Sequence, residues 1–220
     1  MGILTLIPII TEDLLPGDLL FQLRIGGEAE WAISRIFAGR DGYAINHVAI
    51  YTGDDSIIEA VMPHVQKITL SRFIDSSVKD NHDRPCVLVC RLLPDHSPLI
   101  PAALMFAEQQ VEVPYDSRYQ KDPNCTNRSW YCSELVIHAF RQTSNSHFLF
   151  EETPMSFRDM DTGDFIPYWI EHYEKNGQKV PEGESGSHPA LLSQSDNLII
   201  VKVIGALPAK NDASCIQVRS

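Results

Sequence analysis

The chain of 220 residues alternates between two hydrophobic periods. Residues 14–23, LLPGDLLFQL, predict a turn at Pro16-Gly17 followed by a short strand. Residues 28–37 place Trp31, Ala32, Ile33, Ile36 and Phe37 at helical spacing. Residues 44–51 and 57–61 predict two strands joined by the polar turn TGDDS, hence a hairpin. Further strands are expected at 65–70 and 87–93, and helices at 99–111 and 130–141. Pro101 stands near the start of the first of these helices, where proline is tolerated. A short helix is expected at 165–174, a mobile Gly/Ser/Pro/Glu-rich surface loop at 175–196, and a buried closing strand at 198–204.

Strands and helices mix without βαβ regularity, which predicts an α+β fold with a largely antiparallel sheet. The length fits one domain over 1–220. Its motif-bearing core covers about 14–141, a loop-rich elaboration about 142–197, and the closing strand about 198–204.

The net charge of −11 argues against nucleic acid and against an anionic membrane surface as partners. No run reaches the ~18 apolar residues of a transmembrane segment. The apolar start, MGILTLIPII, reads as a first strand or an arm packed on the core. Five cysteines are too few and too scattered for a disulfide framework. They fit the cytoplasm, although a periplasmic or secreted enzyme that has lost a leader could also keep a free thiol. Cys86 and Cys90 bracket CVLVC and read as small apolar side chains on one strand face. Sequons at Asn124 and Asn127 carry little weight. No histidine, cysteine or carboxylate spacing suits a metal, and no cofactor motif is present.

Chemistry points to three residues. Cys132, in WYCSELV, falls at a loop-to-helix junction, where backbone N–H groups favour a thiolate and can hold an oxyanion. His47 lies on the apolar strand NHVAIY. Glu59 lies on the short apolar strand SIIEA, where a carboxylate is costly without a partner. A hairpin loop at 52–54 sets Tyr51 opposite Asp55 and His47 opposite Glu59. That register puts the carboxylate beside the imidazole. A base oriented by a third polar group is what a cysteine nucleophile requires. Tyr115, in PYD, stands in the loop that leads to Cys132, and Asp18 follows Pro16-Gly17 as a turn residue. His138 is six residues beyond Cys132 and points away from it.

In order, PGDLLF, NHVAIY, IIEA, PYD and YCSELV resemble the circularly permuted, YiiX-like branch of the NlpC-type papain-like cysteine peptidases and amidases. His47 precedes Cys132, as in that branch. The resemblance implies an antiparallel sheet packed against helices, with Cys132 at a helix start. It also implies a triad of Cys132, His47 and Glu59. Tyr115 matches the family's tyrosine near the substrate and oxyanion region, and Asp18 is carried with it as a substrate-side candidate. The expected reaction is cysteine hydrolysis of a peptide or N-acyl amide substrate without cofactor. Two other readings compete. Lecithin:retinol acyltransferase-like lipid chemistry shares the permuted order, but its cysteine motif looks like NCEHFV. A non-catalytic binding module is the other.

Overall fold

The computed structural model describes residues 13–120, 129–141 and 149–210. The apolar start before Asp13, both sequons, Cys125, His147 and Cys215 lie outside them. Six strands form one antiparallel sheet: β1 (Leu19–Gln22), β2 (His47–Gly53), β3 (Ser56–Ala60), β4 (Val65–Thr69), β5 (Val87–Leu92) and β8 (Leu198–Ile204). Their spatial order is β4-β3-β2-β1-β5-β8. A two-stranded ribbon pairs β6 (Thr153–Pro154) with β7 (Ser185–Gly186).

Strand alternation builds two cores on the two faces of the sheet. Leu19, Phe21, Val48, Ile50, Ile58, Leu88 and Cys90 point to one face. There they meet α3 (Ile100–Gln109) and α4 (Cys132–Arg141), whose buried residues include Ala103, Ala107, Leu135, Val136, Ala139 and Phe140. Leu20, Ala49, Tyr51, Ile57, Val87 and Val89 face the other way, in one cluster with Leu70, Phe73 and Ile74 of α2 (Leu70–Asp75). A six-residue helix is too short to show a period in the sequence. Thr69 caps it by accepting from Arg72 N–H at 3.3 Å. A third core joins α1 (Glu28–Ile36) to α5 (Pro167–Lys175) through Ala32, Ile36, Phe157, Ile166, Trp169 and Tyr173.

Two expectations are corrected. Residues 175–196 are not simply a surface loop. They hold β7 and α6 (Pro189–Ser193), and Ser187, Pro189, Ala190, Leu192 and Ser193 are buried. The small residues serve close packing. A Cβ added to Gly186 would come within 2.1 Å of Met155 Sδ. The closing strand β8 is also not buried throughout. It is the outermost strand, and Ile199, Ile200 and Val203 are exposed.

The β2–β3 register also differs from the expected one. Ile50 pairs with Ile58, Tyr51 with Ile57 and Gly53 with Ser56, with an irregularity between Tyr51 and Gly53. Thr52 is the extra residue of a bulge. The tight turn therefore falls at Asp54-Asp55, both at positive φ (48° and 57°), and Gly53 at φ 92° supplies the left-handed geometry ahead of it. In this register Glu59 falls opposite Ala49 rather than His47. The displacement is two residues, so the face is preserved.

Candidate active site

His47 is the first residue of β2, and Asn46 fixes where that strand begins. The Asn46 amide donates to the carbonyls of Arg24 (3.1 Å) and Glu30 (3.0 Å), and its Oδ1 accepts from Arg24 N–H at 2.6 Å. The end of β1, the start of α1 and the start of β2 are thereby tied together. Sequence reasoning passed over Asn46, although a buried amide just ahead of a strand histidine is a usable signal.

His47 Nε2 lies 2.6 Å from Glu59 Oε2. The two residues are only 4% and 2% exposed. Glu59 reaches His47 diagonally across the hairpin, which a long side chain can do. Its other oxygen, Oε1, accepts from Gln66 Nε2 at 2.7 Å. The Cys132 side chain lines the same cleft as the His47 ring and stands close enough to act on its charge. With Nε2 engaged by Glu59, Nδ1 is the nitrogen left for the sulfur. Burial works against a charged ring, but the contacts with Cys132 and Glu59 outweigh it and raise the His47 pKa to about 9. Burial likewise opposes a charged Glu59, yet His47, Gln66 and the nearby Arg24 hold its carboxyl below the ordinary value.

Cys132 opens α4. Leu135 N–H donates to Tyr131 C=O at 3.0 Å, so Tyr131 stands at the cap and Cys132 follows as the first helical residue. The first turn is held from the side by the segment read as loop. Ser187 N–H donates to the Tyr131 hydroxyl (3.0 Å), and Ser187 Oγ donates to Ser133 Oγ (2.9 Å).

The thiol borders two spaces. A cleft of about 240 Å³ is lined by Arg24, Glu30, Asn46, His47, Tyr115 and Cys132 among others. A narrow apolar cavity of about 30 Å³ runs the other way, past Tyr119, Tyr131, Phe157, Trp169 and His188. Tyr115 and Tyr119 line both, with their hydroxyls 3.0 Å apart. Burial raises both phenols, and each also faces the Cys132 side, so both remain neutral donors at ordinary pH. The Tyr115 backbone N–H donates to Pro63 C=O at 2.9 Å, which pins the loop ahead of Cys132.

His188 was not singled out from sequence. Its Nδ1 accepts from Ala190 N–H (3.1 Å) and its Nε2 donates to Ile33 C=O (3.1 Å). Burial pushes its pKa down to about 4, so the ring is neutral. The available signal was a capping residue before Pro189 at a helix start. His138 packs on the Trp130 ring, 4.7 Å between centroids.

Asp18 is not brought to the cleft. It precedes β1, whose far end, Gln22, pairs with His47. Four residues of strand separate them, about 13 Å at ~3.3 Å each. Both Asp18 oxygens are occupied: Arg91 donates to them at 2.7 and 2.8 Å, and Leu15 N–H donates at 2.8 Å. Asp18 closes the turn at the start of β1. Among the described residues, no three His, Cys, Asp or Glu side chains are grouped to hold a metal ion. No helix among them is long and apolar enough to cross a membrane.

A cysteine at a helix start, a histidine earlier in the chain on an antiparallel sheet, and a cleft where they meet define a permuted papain-like architecture. The sequence model of the permuted papain-like amidase family, YaeF/YiiX, C92, matches residues 13–201, and the chain belongs to that family. It is therefore, at family level, a cysteine hydrolase of the peptidase/amidase kind. The crystal structure of the metalloprotein yiiX from Escherichia coli O157:H7 shares the fold, with a TM-score of 0.67 over 88% of this chain and 99% of that one at 18% identity. The curated proteins contain no match.

Proposed function

We propose that the protein hydrolyses an amide bond, in a peptide or an N-acyl amine, through a triad of Cys132, His47 and Glu59. One observation carries the reading: the His47 ring is held at 2.6 Å by a buried Glu59 and shares the wall of one cleft with Cys132. His47 accepts the Cys132 proton, and the sulfur attacks the substrate carbonyl as a thiolate. The carbonyl oxygen becomes an oxyanion, which the N–H groups at the start of α4 stabilise. His47 gives its proton to the leaving amine, and a thioester on Cys132 remains. His47 then takes a proton from water, which attacks the thioester. The acid is released and the sulfur regains its starting state.

Glu59 keeps the ring in one tautomer and favours the imidazolium. It acts as a neighbouring charge and not as a proton acceptor. Tyr115 stands at the cleft beside the nucleophile as a neutral donor toward substrate. The solved relative is described as a metalloprotein. Every step above is carried by Cys132, His47 and Glu59.

The test is product analysis on a panel of peptides, N-acyl amines and phospholipids, with Cys132→Ala as control. Release of an amine by the wild type and not by the variant supports the proposal. Transfer or hydrolysis of lipid ester acyl groups alone favours the acyltransferase reading, and silence across the panel favours a binding module.

A further inference from the structure

We propose that Gln66 is a positioning residue of the same site: its side-chain amide fixes the Glu59 carboxylate in the orientation that serves His47. The inference rests on the triad reading and adds a residue to it. Glu59 and Gln66 are directly opposed in the β3–β4 register. They share a face, and their side chains meet. The carboxylate has two oxygens and two neighbours, one on each flanking strand. Oε2 is 2.6 Å from His47 Nε2 on the β2 side, and Oε1 is 2.7 Å from Gln66 Nε2 on the β4 side. Rotation about the last torsion of Glu59 would break both contacts together.

The position makes the contact informative. β4 is the outermost strand on that edge of the sheet, and its Lys67 and Thr69 are exposed. An uncommitted glutamine on such a strand would turn its amide to water. Gln66 instead is half-buried and directs its amide onto a carboxylate that is 2% exposed. An amide donates at every working pH, so the anchor does not itself titrate. Asparagine is one methylene too short to make the same contact across the strand pair.

The groups around Glu59 define what its loss would change. His47 faces it from β2, Gln66 from β4, and Arg24 acts on it from beyond β1. Phe73 of α2 packs near the His47 ring, 6.0 Å between centroids, and brings no charge. Cys132 completes the set from α4. Removing the Gln66 donor leaves one buried oxygen unpaired and favours protonation of Glu59. The acid limb of the rate profile should then move up.

The experiment measures kcat and KM against pH for the wild type, Gln66→Met and Gln66→Glu, with Cys132→Ala and His47→Ala alongside. It uses the amide substrate found on the panel, and thermal melts confirm folding. Gln66→Met keeps the length and loses the donor. Its kcat should fall roughly 5- to 20-fold, the scale of one lost charge-assisted hydrogen bond. KM should stay within about twofold, and the acid limb of kcat/KM should move to higher pH, because one donor fewer favours the ionised carboxylate. Gln66→Glu can donate only when protonated. Its deficit should shrink toward pH 5–6 and widen toward pH 8. Wild-type kcat and unmoved limbs in Gln66→Met would overturn the inference. So would a uniform loss at every pH in both variants, which marks a merely structural contact. Activity retained in Cys132→Ala or His47→Ala would instead overturn the triad reading itself.

Discussion

Glu59 lies opposite Ala49 on the neighbouring strand, yet its carboxylate is 2.6 Å from the ring of His47, two residues along. The pair is diagonal. The bulge at Thr52 places it so, and side-chain length closes the gap. If that contact orients the base, Glu59→Gln should fold and lose roughly 10- to 100-fold in kcat, part of the ~10²–10⁴ that a positioned base contributes. The replacement has one acceptor oxygen for two donors, His47 and Gln66. Cys132→Ala and His47→Ala should each lose more, and Glu59→Gln added to His47→Ala should cost little further. Steady-state kinetics on the four variants, with circular dichroism, checks this. A double variant that loses the product of the two single factors would show independent roles.

Cys132 should be alkylated well before Cys86 and Cys90. Of the three, Cys132 borders the cleft beside the His47 ring, whose pKa is raised to about 9. Cys86 and Cys90 are 1% and 0% exposed, and burial pushes the Cys90 pKa up to about 12. Mass-spectrometric mapping after a short pulse of iodoacetamide at pH 7 gives the order. Modification of Cys90 ahead of Cys132 in folded protein would contradict the assignment.

Stability should decline on the alkaline side through His47. Its folded pKa of about 9 stands above the ordinary ~6.5 of an unfolded chain. A raised value contributes stability that is complete below about 6.5 and is lost as pH rises through 9. Glu59 works in the opposite direction, because its lowered value contributes above its ordinary range and is lost in acid. Urea midpoints from pH 6 to 10 should fall more steeply for the wild type than for His47→Gln. Parallel curves would mean that the buried pair carries no such linkage.

Asp18→Asn should lower stability by about 1–3 kcal/mol and leave kcat/KM unchanged. The substitution strips a nearly fully buried carboxylate of its pairing with Arg91 at the far end of β1. Denaturant melts and kinetics on the same samples separate the two effects. A selective rise in KM without loss of stability would return Asp18 to the substrate side.

Much of this site was legible in the sequence because its signals are robust to small errors. The hairpin register was expected two residues away from where it lies, yet parity kept His47 and Glu59 on one face. Cys132 was legible because a polar loop gives way there to an apolar period of 3.6. Ser187 and His188 were not, because Gly, Ser and Pro that pack tightly have the same composition as Gly, Ser and Pro that do not. Gln66 was hidden for another reason. A glutamine on an edge strand is ordinary until the strand opposite is known to carry a buried acid. Asp18 was legible as a turn residue, and that plainer reading is the one its contacts support.

The spacing of the parts along the chain has a consequence for how the enzyme acquires its reactivity. His47, Glu59 and Gln66 all lie on the meander β2–β3–β4, whose strands are consecutive in sequence and joined by short connections. Such low-contact-order structure closes at little entropic cost. Cys132 comes from a helix much further along, and its first turn is braced by Ser187, later still. Cys132 therefore reaches His47 only after distant segments have docked. On the proposed triad, a nascent or partly folded chain carries an ordinary cysteine, and chemical competence arrives with the last long-range contacts rather than the first.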